Sequence, residues 1–200
     1  MGFEVDYIRP SSIPLIRNLQ SIYKFDFFVG SVHHVNTIPI DFDRQMYLRA
    51  LESVGGTEEK LFEAYFDAQY EMLTRLRPAV VGHWDLIRLF SENPTRPLVE
   101  YGPGVWNRVE RNVNFVLSYR GLTELNSASF RKGWDEPYPR RDLAEVGVTI
   151  SSEAYVKGFL ILFVISLSWP VVVDSPYPTI ATPSHKSALI MIGSWATSEV

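Results

Sequence analysis

Short apolar runs alternate with segments of helical period from Phe3 to about Glu145, and this alternation limits the fold more than any single motif. FEVDYI reads as a strand. SSIPLIRNLQSIYK reads as a helix, with Ser11 or Ser12 as N-cap and Leu15, Ile16, Leu19 and Ile22 on one face. DFFVGSVHH is a second apolar strand ending in two adjacent histidines. DRQMYLRALESVGG is a short helix stopped at Gly55 and Gly56. The clearest helix is TEEKLFEAYFDAQYEMLTRLRP. Thr57 is its N-cap, Glu58 and Glu59 fill the first turn, Arg75 and Arg77 the last, and Pro78 stops it, so its charges oppose the helix dipole. Leu61, Tyr65, Ala68, Met72 and Leu76 form its apolar stripe. AVVGHWD follows as a short strand, GVWNRVERNVNFVLSYR as a helix and LTELNSASF as a strand. RRDLAEV opens one more helix behind the turn EPYP.

Strands separated by helices of this length pair in parallel with both faces covered, so the expected class is α/β. The choice lies between an open doubly wound sheet and a barrel. No GxGxxG or GxxxxGKS loop follows any strand, which removes the commonest reason for the open sheet. A barrel would place its site at the carboxyl ends of the strands. The paired histidines sit at such an end.

Composition narrows the chemistry. A net charge of −4 with no long basic block argues against a nucleic-acid surface. There are no cysteines, which rules out disulfides and thiolate ligands and fits a reducing, cytoplasmic setting. MGFEVDYIRP has neither a basic n-region nor an apolar h-region and is not read as a secretory signal. The apolar run from Phe159 to Val173 is shorter than the ~20 residues of a spanning helix, and Pro170 interrupts it, so no membrane segment is expected.

Three strand ends carry possible metal ligands: Glu4 with Asp6, His33 with His34, and His83 with Asp85. Imidazole and carboxylate without thiolate suit zinc, manganese or iron, ions that activate water and neutralise phosphoryl oxygens. Side chains alternate along a strand, so only one of His33 and His34 should enter a shared site. Against this, a single histidine beside an apolar run is usually a hydrogen-bonded core or rim residue, and Glu4 could be an ordinary exposed carboxylate. Arg88 and Arg131 have the guanidinium fork that suits a phosphate, although most arginines are solvated surface residues. Glu124 and Asn126 share a strand face, where either could point inward or pair with a neighbour.

GFEVDYIRP, DFFVGSVHHVNTIPIDFD, VVGHWDLIRLF and ELNSASFRKGWDEPYPRRDLAE, in this order and spacing, resemble the histidinol-phosphatases of the PHP (polymerase and histidinol phosphatase) superfamily, nearest the fungal branch. The resemblance runs from about Gly2 to Glu145. It implies a distorted (β/α)7 barrel holding up to three divalent metals (Zn, Mn or Fe). It also implies hydrolysis of L-histidinol phosphate, a small phosphate ester, in histidine biosynthesis. By resemblance Glu4, His33 and His83 match metal ligands, Arg88 and Arg131 match arginines that hold the substrate phosphate, and His34 is a packing or substrate-contacting neighbour. The remaining alternatives are a PHP phosphoesterase of other specificity and a non-catalytic binding protein.

Two family motifs have no counterpart here. No histidine precedes His33 to form a His-x-His strand, and ATPSHKSA stands where an acidic Ser-His motif would be, leaving His185 a weak candidate ligand. The expectation is therefore a partial PHP domain over residues 1–145 and an irregular, poorly ordered apolar tail over 146–200. Half a barrel should be unstable, or inactive alone, because its edges expose unpaired backbone and one side of the core.

Overall fold

A computed structural model describes residues 2–146 together with the backbone of two further strands, at 161–164 and 190–192. The first strand is β1 (Gly2–Asp6), followed by α1 (Ser12–Ile22) and β2 (Phe27–Ser31). A small hairpin of β3 (His34–Val35) and β4 (Ile38–Pro39) leads to α2 (Arg44–Ser53) and α3 (Glu58–Leu76). Then come β5 (Val80–Val81), two short 3-10 turns, α4 (Pro103–Ser118), β6 (Leu122–Glu124) and α5 (Ala128–Arg131). Helix also runs over 141–146, and β7 (Ile161–Val164) and β8 (Ile190–Ile192) complete the described elements.

One sheet takes the order β1-β2-β5-β6-β7-β8, parallel throughout except for the antiparallel β7–β8 pair. A doubly wound sheet reverses its strand order at a switch point. Here the order follows the chain without reversal, which is how strands succeed one another around a barrel wall. Among the described residues β1 and β8 do not pair, so the wall is an arc rather than a closed ring. β7 and β8 add regular strands within a segment expected to be irregular; the rest of that tail, with Ser184 and His185, lies outside the described residues.

The helices start and stop where their ends can be satisfied. The Asp43 side chain accepts the Met46 N–H at 2.7 Å to cap α2, and Thr57 accepts from Lys60 to cap α3. Gly55 and Gly56 both adopt positive φ after α2. α3 and α4 form the main core. Leu61, Phe62, Tyr65, Phe66, Met72 and Leu73 are fully buried against Val105, Val109, Val113 and Val116. The buried face of α3 is thus wider than its expected stripe, because it meets α4 on one side and the sheet on the other. Within this core Asn112 Nδ2 donates to the Phe66 carbonyl (2.8 Å) and to Gln69 Oε1 (3.0 Å), and Gln69 Nε2 donates to the Trp84 carbonyl at 3.2 Å. The two helices thereby hold the loop that carries His83.

Three sequence expectations need correction. In α1 Ile13 and Ile16 are buried, whereas Leu15, Leu19 and Ile22 of the expected apolar face are exposed. Ser11 occupies the N-cap position without a side-chain cap bond. The strand expected over LTELNSASF ends at Glu124; Asn126 bridges to Tyr138, and the chain then turns into α5. Likewise β2 ends at Ser31, and a hairpin with Asn36 and Thr37 at positive φ begins at His34. Asn36 suits such a turn, but Thr37 disguises it, because a β-branched residue rarely adopts the left-handed region.

Asn112→Ala leaves Gln69 Oε1 buried without its donor and should lower stability by about 1–3 kcal/mol. Urea unfolding of the two chains at neutral pH measures the difference.

Candidate metal centre

Parallel strands bring their carboxyl ends to one rim, and that rim gathers the polar residues. Asp6 ends β1 and is in register with Ser31, which ends β2; Val81 ends β5 two residues before His83; Glu124 ends β6. On β1 the two-residue alternation sends Val5 into a small apolar cluster with Ile16 and Phe28 and places Glu4 and Asp6 on the opposite side.

Glu4 is the hub. Its Oε1 accepts the Ser31 hydroxyl at 2.6 Å and lies 3.2 Å from His83 Nε2. The His33 ring stands edge-on to His83 with centroids 4.7 Å apart. Glu4, His33 and His83 each offer a donor atom within 4.8 Å of the others, and they are the only such group of three among the described residues. His83 is placed through its backbone as well, since its N–H donates to Glu124 Oε2 at 2.9 Å. Glu124 Oε1 in turn accepts from Asn126 Nδ2 at 3.0 Å, so this pair satisfies itself.

Asp6 answers for both neighbouring histidines. Oδ1 lies 3.3 Å from His33 Nδ1 and Oδ2 lies 3.1 Å from His34 Nδ1. The expected alternation fails here because His33 and His34 fall past the end of β2, where the chain is already turning. Of the two, only His33 joins the group with Glu4 and His83.

The electrostatics follow from these contacts. The hydrogen bond from His83 holds the Glu4 carboxyl down to about 2 against the opposing pull of burial, with Ser31 and the charge of His33 helping. Burial would raise Asp6, but the bonds and charge of His33, with the charge of His34, outweigh it and leave it low. Burial lowers His33 while Asp6 raises it, and Asp6 wins.

Two imidazoles and a carboxylate form a donor set suited to zinc, manganese or iron. The site fits such an ion in a second respect: His83 Nδ1 is buried without a hydrogen-bond partner, so the ring has donor capacity that no described residue uses.

The arginines separate. Arg88 is 1% exposed, with Nε 2.9 Å from Asp85 Oδ2, Nη2 donating to Asp142 Oδ2 at 2.6 Å and Nη1 donating to the Arg96 carbonyl. Asp85 is fully buried beside it, accepts the Arg140 N–H on Oδ2 and lies outside the group of Glu4, His33 and His83. Arg131 is exposed at the end of α5. Sequence reasoning missed Ser31 and Gly82. A Cβ on Gly82 would come 2.4 Å from Ser31 Oγ and 3.5 Å from Glu124 Oε2, so the absence of a side chain there leaves room for the hydroxyl that holds Glu4.

Fold and rim together define an α/β protein with a candidate divalent-metal centre at the carboxyl ends of its strands. The PHP domain family matches residues 1–128, and the chain belongs to that family. Over 148 residues it is 45% identical to the Schizosaccharomyces pombe protein named "Probable histidinol-phosphatase", covering 74% of this chain and 48% of that protein. To the "Histidinol-phosphatase" of Saccharomyces cerevisiae it is 39% identical, covering 60% of this chain and 42% of the other. The chain therefore spans just under half the length of each curated relative. The crystal structure of a candidate histidinol phosphatase, hisK, from Listeria monocytogenes shares the fold, with a TM-score of 0.65 at 23% identity over 82% of this chain and 61% of that one.

In the metal-free chain the depressed Glu4 carboxyl contributes stability that is complete above its ordinary value of 4.5 and fades as pH falls toward about 2. Glu4→Gln should thus cost more stability at pH 6 than at pH 2.5, as read from urea midpoints in the presence of a chelator.

Proposed function

We propose that this chain carries the metal-binding rim of a histidinol-phosphatase, a metal-dependent phosphomonoesterase that releases phosphate from L-histidinol phosphate in histidine biosynthesis. One observation carries the reading: Glu4, His33 and His83 share a small volume at the strand ends of a chain that is 45% identical to a fungal protein bearing that name. In this reading those three residues hold a divalent ion. When bound, the ion supplies Lewis-acid stabilisation of charge on the phosphoryl oxygens.

The protein's own residues do the positioning. Ser31 holds the Glu4 carboxylate from one side, and Glu124 fixes the backbone of His83. Arg131, exposed on its short helix, is proposed to contact the substrate phosphate, where its planar fork makes paired charge-assisted hydrogen bonds. Arg88 is left out of that role because its guanidinium already faces Asp85 and Asp142. No helix among the described residues is long and apolar enough to cross a membrane.

The test loads the chain with Zn²⁺ or Mn²⁺ and follows binding and phosphate release with L-histidinol phosphate, glycerol phosphate and p-nitrophenyl phosphate. The expected result is metal-dependent binding of histidinol phosphate at least about tenfold tighter than of the other two esters, or about 1.4 kcal/mol, weakened in Arg131→Ala, with phosphate release slow or absent because the described wall is an open arc. Equal treatment of all three esters by the metal-loaded chain would shift the reading to a phosphoesterase of other specificity. Failure to bind metal would overturn it.

A further inference from the structure

We propose that Asp6 is a positioning residue: its carboxylate selects the nitrogen that His33 presents to a metal. The proposal rests on the metal-centre reading and adds to it a residue that is itself outside the ligand group.

Three features of the geometry carry it. Asp6 lies two residues from Glu4 on the same side of β1, yet only Glu4 belongs to the group with His33 and His83. Its Oδ1 serves His33 twice, standing 3.3 Å from Nδ1 and accepting the His33 backbone N–H at 3.3 Å. Its Oδ2 stands 3.1 Å from Nδ1 of His34. One carboxylate thus meets two adjacent imidazoles, one on each oxygen, at the point where the chain leaves β2.

The chemical consequence is a choice of tautomer. A proton on His33 Nδ1 is stabilised by the facing carboxylate, so the ring lone pair resides on Nε2. An imidazole whose distal N–H rests on a carboxylate is held in orientation and made a more basic ligand. The other two ligands are supported differently, Glu4 by a neutral hydroxyl and His83 through its backbone. Only His33 has a carboxylate on its ring outside the ligand group itself. The second histidine meets the other oxygen by proximity alone: His34 Nδ1 stands 3.1 Å from Asp6 Oδ2 without hydrogen-bonding geometry, so the bond from the His33 backbone N–H is what fixes the carboxylate.

The test combines ¹⁵N imidazole shifts of the metal-free 200-residue chain with competitive Zn²⁺ titration of that chain, Asp6→Ala, Asp6→Asn and Glu4→Ala. His33 in the unsubstituted chain should be protonated at Nδ1, and in Asp6→Ala it should move toward the Nε2–H form. Zinc affinity should fall 10- to 100-fold in Asp6→Ala and by less in Asp6→Asn, whose amide oxygen can still accept the Nδ1 proton. A predominantly Nε2–H His33 in the unsubstituted chain overturns the proposal whether or not either variant folds. So does zinc affinity in folded Asp6→Ala within about threefold of the starting chain. Those failures are distinct from failure of the underlying reading, which would show as absent zinc binding or as unchanged affinity in Glu4→Ala.

Discussion

Parallel pairing is the constraint on which the rest depends. β1, β2, β5 and β6 run the same way, so each delivers the residues at and just beyond its carboxyl end to a common rim. Glu4 reaches His83 across an intervening strand only because the register sets Asp6 beside Ser31 and Gly30 beside Val81. An antiparallel partner anywhere in that series would carry its polar end to the opposite side, and the cluster would not assemble.

The helical layer then turns proximity into fixed geometry. The donor chain from Asn112 through Gln69 to the Trp84 carbonyl ties α4 and α3 to the loop carrying His83, and all three side chains are almost fully buried. Buried amides of this kind are costly when unpaired and rigid when satisfied. Their effect is to define where the backbone next to His83 lies, which Glu124 confirms from the sheet side through the His83 N–H.

Much of this architecture was legible in the residues. α3 announced both its ends, with Thr57, Glu58 and Glu59 at the start and Arg75 and Pro78 near the finish, because caps and dipole charges are local chemistry. That the strand ends of Glu4/Asp6, His33/His34 and His83/Asp85 share one edge was legible because strand direction follows from the alternation with helices; the choice of Glu4, His33 and His83 among them came from the family resemblance. What escaped was non-local. Arg88 gave no sign of meeting Asp142, 54 positions further on, because such a pairing is set by tertiary packing rather than by local pattern. The buried side of α1 was misjudged because periodicity reports that a helix has an apolar face, while neighbouring elements decide how much of it is covered; here Ile16 is enclosed and Leu15 is 68% exposed. The strand assumed through His33 stops at Ser31, before a hairpin whose turn pairs Asn36, which suits positive φ, with Thr37, which does not.

Gly82 shows how an inert position comes under the same discipline as a ligand. Any side chain there drives into Ser31 Oγ, and displacing that hydroxyl releases the oxygen of Glu4 that faces His83. Its tolerance to mutation should accordingly resemble that of the acid and the imidazoles, although it donates and accepts nothing with a side chain. A survey of variants that ranked sites by chemical reactivity would pass over it, whereas one that ranked them by the volume they leave vacant would find it.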